Sequence, residues 1–234
     1  RYGMEVDAQK YLDKFLKYRF ALPDKVEIPF RTERALVSVE YFKQLIRKSH
    51  ICNELQGLIY ESPEDISFIN FIGDMIVRHD ISLRETERFV RFLEIYHSLS
   101  RGLNINKSVP QVILLRITGV FIFCFHSDLI ASINKNRTDA KDFARLFNVH
   151  FWPDTPIESY GFNCADIIAV MLIKHSKIED ARFQEWEDKE YWQTYIDHHF
   201  FKNKYIVSQK RGIYGVLSIL KETFQVLSLE QTPQ

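Results

Sequence analysis

The amino-acid sequence predicts a mainly α-helical protein, and three observations lead there. Apolar residues recur at three- and four-residue spacing through most of the 234 positions, the period of an amphipathic helix. Helix punctuation is frequent, with serines, prolines and acidic residues placed where a first turn needs them. The β signal is sparse; its one short alternating run is Tyr18, Phe20 and Leu22 around Arg19 and Ala21, closed by Pro23.

Taken in order, Ala8, Tyr11, Leu12, Phe15 and Leu16 define a first amphipathic helix, followed by the strand-like run and a turn-rich stretch through Pro29. A second helix is expected over about 32–48, with Leu36, Val39, Phe42, Leu45 and Ile46 inward. Ser62 as N-cap, Pro63 in the first turn, and Glu64 and Asp65 at the positive end start a third. It runs through Ile66, Ile69, Phe71, Ile72 and Ile76 to about Arg78. The clearest start signal is SLRE at Ser82 to Glu85, a capping box in which the Ser82 hydroxyl takes the amide three residues on while Glu85 reaches back. That helix is expected to reach about Leu99 and stop before Gly102, and residues 103–110 read as a linker. Further helices are expected near 109–123, 126–134, 138–147, 163–176, 180–198 and 212–228, with a loop over 149–162 marked by Pro153, Pro156 and Gly161.

Val109 to Phe125 is strongly apolar, yet it is only 17 residues long and carries Arg116 at its centre. A membrane span needs about 20 apolar residues and resists a central charge, so a buried core helix is expected instead. Lys plus Arg equals Asp plus Glu, 31 each, which excludes a global field that would gather nucleic acid or anionic membrane. Cys52, Cys124 and Cys164 are odd in number and widely spaced, fitting neither a zinc site nor a disulfide framework. With no apolar leader in the opening residues, a reducing, cytoplasmic location is the expectation.

The opening stretch carries YG-x₃-DA-x₂-YL-x-KF at Tyr2, Gly3, Asp7, Ala8, Tyr11, Leu12, Lys14 and Phe15, then FALP at Phe20 to Pro23. This resembles the segment after the Walker B strand in KAP-family P-loop NTPases, where a helix leads into the last core strand. ISLRETERFVRF at Ile81 to Phe92 is similar to the S-x-R-[DE]-[IV]-[EK]-R-F segment of the helical lid in the same family. The matches lie in the expected order and make sense of the first 100 residues or so. The resemblance implies a short helix–strand remnant of an α/β P-loop core over 1–30 and a helical lid over 31–104, and the periodicity beyond it leads to the expectation of a helical C-terminal region over 105–234. It also implies ATP and Mg in the parent protein, an upstream NTPase core as partner, and a role in phage exclusion or defence. The chain begins on Arg1 in the middle of a structured pattern, which leads to the expectation that it is the back half of something longer. There is no G-x₄-GK-[ST] motif and no apolar strand ending in adjacent acidic residues. The chain alone is therefore expected not to hydrolyse ATP, whereas the parent protein would be an ATPase.

Arg84 is the sharpest candidate. In the first turn of the capped helix, the resemblance implies a lid arginine that reaches the γ-phosphate, with Arg88 on the same stripe as a second nucleotide-binding residue and Arg91 continuing it. The bland alternative is a solvated face on which Glu85, Glu87 and Glu94 balance the arginines, with Glu87 and Arg91 as an i,i+4 pair. The residues alone favour that alternative, and the resemblance tips the reading toward Arg84. Asp7, Tyr11 and Lys14 share one face of the first helix, more simply read as a helix-start acid and a solvated lysine. His198 and His199 are adjacent and point about 100° apart on a helix, so they do not share a metal ion, and His175 is the only other histidine nearby in sequence.

Cys124 reads as an inert core thiol and Cys164 lacks an activating partner. The amphipathic segment Phe183 to Lys204 holds Trp186, Tyr191, Trp192 and Tyr195, which would anchor a protein partner wherever their rings remain exposed. Lys202, Lys204, Lys210 and Arg211 form a modest basic cluster with few stacking aromatics, so nucleic acid is not the expected partner. The first reading is thus a lid and effector part of an ATP-dependent P-loop NTPase. The alternative is a non-catalytic helical protein–protein interaction module.

Overall fold

A computed structural model of the protein describes residues 33–51, 68–99, 110–150, 152, 164–184, 190, 192 and 215–229. Within them the chain is mainly helical, with eight α-helices: α1 (Glu33–Lys48), α2 (Phe68–Arg78), α3 (Leu83–Leu99), α4 (Pro110–Phe125), α5 (Ser127–Asn134), α6 (Ala140–Leu146), α7 (Cys164–Lys174) and α8 (Val216–Leu229). The expected helix–strand remnant over 1–30 lies outside the described residues, as does the linker up to residue 109. Among the described residues the sole β feature is a parallel bridge between Asp139 and Lys177, closed by Ala140 N to Lys177 O (2.8 Å) and Lys177 N to Thr138 O (3.1 Å).

α4 is the organising element. Apart from half-buried Arg116 its described side chains are almost all apolar, so it has little face to offer water and is largely surrounded. Ile113, Leu114, Leu115, Ile117, Val120, Phe121 and Ile122 are all 2% exposed or less. It packs most extensively on α8, and also on α2, α3, α5 and α7. The closest approach is at Gly119: a Cβ built there would lie 2.9 Å from Thr223 Cβ and Cγ2 of α8. The two buried threonines at this crossing satisfy their hydroxyls within their own helices, Thr118 Oγ1 donating to Leu114 O (2.8 Å) and Thr223 Oγ1 to Ile219 O (2.9 Å). α7 is buried almost all round, and α1 lies on α2 and α3 with Phe42 and Ile46 inward. Leu36, Val39 and Leu45 are half-buried. One continuous hydrophobic core runs from Phe42 to Leu227, so residues on both sides of the expected boundary at 104/105 share it. No helix among the described residues is long and apolar enough to cross a membrane.

Helix ends are set by backbone turns with one shared construction. Asp80, Asn136 and Asn148 have φ of 47°, 53° and 51°. Each is followed by an amide that reaches back over the helix end: Ile81 N to Ile76 O (3.1 Å), Arg137 N to Ser132 O (2.9 Å) and Val149 N to Ala144 O (2.8 Å). These are Schellman turns with Asp or Asn in the left-handed position that glycine more often fills. The helix expected over 180–198 begins as a 3-10 turn at Ala181–Phe183 capped by Asp180; of the stretch beyond Gln184, Glu190 and Trp192 are described and both are helical.

Candidate functional site

The start of α3 is fixed by the capping box. Ser82 N donates to Glu85 Oε2 (2.9 Å), the Ser82 hydroxyl donates to the same oxygen (2.6 Å), and Glu85 N donates back to Ser82 Oγ (3.4 Å). With the first turn held, Thr86, Phe89, Val90, Leu93 and Tyr96 face the core. Arg84, Arg88 and Arg91 fall on the other side and are exposed. The Arg88 guanidinium lies 5.8 Å from the centre of the Phe92 ring, a cation–π contact on the same helix.

The three carboxylates that a solvated face would use to balance these arginines are engaged elsewhere. Glu85 is held by the cap. Glu87 accepts the Tyr41 hydroxyl of α1, and that hydrogen bond raises the Tyr41 phenol above its ordinary value. Glu94 accepts from the Ser49 hydroxyl and lies 3.9 Å from His50. The expected Glu87–Arg91 pair is not among the ion pairs of the described residues, because Glu87 turns toward α1 instead.

A second polar cluster joins elements far apart in sequence. Arg78, the last residue of α2, donates from Nη1 to the Phe147 carbonyl (2.6 Å) and from Nη2 to Asp166 Oδ1 of α7 (2.8 Å). His79 lies 2.6 Å through Nε2 from the Leu146 carbonyl; a carbonyl only accepts, so this nitrogen carries the proton. The two side chains thereby satisfy carbonyls at the C-terminal end of α6, which its own backbone leaves open. The His79 ring stands 5.1 Å from that of His126, edge to face, and 5.0 Å from Phe121. Burial holds His79 below the ordinary imidazole value, and Arg78 pushes the same way against the Leu146 hydrogen bond. Burial also lowers His126, aided by His79 and opposed by Asp128. His126 Nε2 is buried and accepts no hydrogen bond. Nothing in the local sequence signals this cluster, since its partners are 67 to 88 residues apart.

Among the other expected site residues, Trp192 is 1% exposed, so its ring is packed in the core and offers no face to a partner. Trp186, Tyr191 and Tyr195 lie outside the described residues, as do Asp7, Tyr11, Lys14, His198, His199 and the lysine cluster after residue 201. Cys124 and Cys164 are buried, and burial pushes each thiol up to about 12. Among the described residues no group of three or more His, Cys, Asp or Glu is placed to hold a metal ion. The exposed residues of the α3 stripe offer guanidinium groups to an anion. Compared with known protein families, curated proteins and solved structures, the chain matches none.

Proposed function

We propose that this chain is the helical lid and effector part of a nucleotide-driven protein, in which α3 turns Arg84 and Arg88 toward the phosphates of a nucleotide held by a P-loop core. One observation carries the reading. Three guanidiniums stand at four- and three-residue spacing on an exposed face while every nearby carboxylate of that helix is engaged by another group. Like charges one turn apart disfavour a helix by roughly 0.2–0.5 kcal/mol per pair, and an anion on that face reverses the sign. The capping box fixes the first turn, so Arg84 starts from a defined backbone position. Closure on a nucleotide would shift the population of lid positions and carry α4, on which α3 packs, with it. The chain supplies no amide cradle for phosphates and no magnesium-binding hydroxyl, since no G-x₄-GK-[ST] motif is present. Those groups belong to the core in this reading. Phage exclusion or defence is the biological role that the family resemblance supports.

The test begins with the coding DNA immediately upstream of Arg1. A G-x₄-GK-[ST] motif there, followed by an apolar strand ending in Asp-Glu, defines the protein to purify. In that protein Arg84→Ala is expected to lower ATP turnover on the order of 100-fold, the scale for losing one charge-stabilising donor. Its unfolding midpoint should stay put, because Arg84 is exposed. No motif upstream, or unchanged turnover in the variant, removes the lid reading and leaves the non-catalytic interaction module.

A further inference from the structure

A groove of about 270 Å³ opens between α6, the Schellman turn that ends it, and the 3-10 turn after α7. Lys141 and Arg145 stand one turn apart on α6, His150 follows the left-handed Asn148, and Arg182 comes from the 3-10 turn. Ala144 and Val149 supply the apolar part of the wall. All four basic side chains are exposed. Four carboxylates lie nearby. Asp139 and Asp142 form a capping box at the first turn of α6, where Lys141 also stands, with Lys141 N to Asp139 Oδ1 and Asp139 N to Asp142 Oδ2 both at 3.0 Å, and Asp139 Oδ2 is buried without a hydrogen-bond partner. Asp180 is gripped by Arg182 through Nε (3.0 Å) and Nη2 (2.6 Å), which holds its carboxyl down at about 2. Asp128 and Asp142 line a smaller adjoining cleft of about 40 Å³ that shares Arg145 with the groove.

We propose that this groove binds a compact phosphate-bearing small molecule, contacted chiefly by Arg145 and Lys141 and bordered by Arg182. Three features select that ligand. Arg145 and Lys141 are like charges at i,i+4, an arrangement that an anion between them favours. Arg182 is preset by its two-pronged hold on Asp180, which leaves Nη1 unused by that partner and shortens the conformational search for a third contact. The groove is at the small end of ligand sites, and among the described residues His150 is the one ring that lines it, so it suits a phosphate group better than a nucleic-acid strand, which needs a succession of stacking platforms. The site is separate from the α3 stripe and does not depend on the lid reading.

The test titrates the full 234-residue chain with inorganic pyrophosphate at pH 7 by calorimetry, against a sulfate background of matched ionic strength. Saturable one-site binding is expected. Arg145→Gln and Lys141→Gln, which keep the side-chain stems and are exposed, should each weaken it about tenfold without moving the unfolding midpoint. Lys48→Gln, at the exposed end of α1 and outside the groove lining, should leave it unchanged. Three results overturn the proposal. Absence of saturable heat denies the site. An equal loss in Arg84→Ala moves the anion to α3. Displacement by sulfate or by a hexaglutamate peptide at equal or higher affinity makes the groove a general polyanion surface.

Discussion

Two glycines in the helical core respond in opposite directions to the same substitution. At Gly73 of α2 an added Cβ would meet Val39 Cγ1 at 3.5 Å, an ordinary van der Waals contact with the tip of a side chain. Gly73→Ala therefore keeps the gain in helix propensity, about 0.8–1 kcal/mol. At Gly119 the new Cβ would stand 2.9 Å from both Thr223 Cβ and Cγ2 and 3.1 Å from Oγ1. The first of these atoms is fixed to the backbone of α8, so rotating the threonine does not clear it and α4 and α8 must separate by several tenths of an ångström. Rotation would also strain the Thr223 hydroxyl bond to Ile219 O. Overpacking of this kind costs about 1–3 kcal/mol, and the rigid contact puts Gly119 in the upper part of that range. After subtracting the propensity gain, Gly119→Ala should destabilise by about 1–2 kcal/mol, a difference of about 2–3 kcal/mol between the two variants. Urea unfolding followed by helical circular dichroism reads both, with the midpoint rising in one and falling in the other at unchanged slope. Equal stabilisation of the two would refute the close α4–α8 crossing and the reasoning built on it.

Two further outcomes follow from burial. His79 and His126 have folded-state values below the ordinary imidazole value of about 6.5, so the unfolded chain binds more protons in that window. Their contribution is fully present above about pH 6.5 and is lost as the solution is acidified through that value; partial exposure keeps the slope well under the roughly 1.4 kcal/mol per pH unit that one fully shifted ring gives. Unfolding midpoints across pH 5–8 check this, and His79→Gln, whose amide can still donate to Leu146 O, should flatten the acid limb. With both buried thiols pushed up to about 12, Cys124 and Cys164 should not react with a disulfide reagent at pH 8 in a Cys52→Ser background, and should react at once in denaturant.

Much of the fold was legible because helical signals are local. The capping box needs only Ser82 and Glu85 three residues apart, and it is present atom for atom. Val109 to Phe125 announced a buried helix by being strongly apolar yet too short for a membrane span and charged at Arg116, and α4 is the centre of the core. Three helix stops fell within a residue of expectation, at Arg78, Asn134 and Leu146, but the turns that close them were not legible. They turn on Asp80, Asn136 and Asn148, residues whose short polar side chains tolerate the left-handed region but also suit many other positions. The candidate sites were the least legible part. Arg84 and Arg88 stood out on spacing, but the diversion of Glu87 to Tyr41 and of Glu94 to Ser49 crosses some 45 residues of sequence. The hold of Arg78 and His79 on the Leu146 and Phe147 carbonyls, and the meeting of Arg182 with Lys141 and Arg145, depend wholly on how α2, α6 and α7 pack.

The equality of 31 basic and 31 acidic residues conceals how these charges are placed. Helix N-termini attract carboxylates, both through the dipole and through the reciprocal bonds of a capping box. α3 spends Glu85 on its cap and α6 spends both Asp139 and Asp142. Each helix is thereby acidic at its first turn and carries its basic residues along an exposed flank, Arg84, Arg88 and Arg91 on α3 and Lys141 and Arg145 on α6. A neutral chain so arranged has no long-range field to gather polyanions, and the charge is felt only within about a Debye length, roughly 8 Å at physiological salt. Such surfaces suit recognition of an anion already delivered close by. The turn after α2 joins the two along the chain: Arg78, the last residue of α2, and His79 beyond it clamp the end of α6, and three residues after His79 the capping box of α3 begins. Only these few residues of chain separate the α3 cap from the side chains that hold the turn carrying Asn148, Val149 and His150 along the groove.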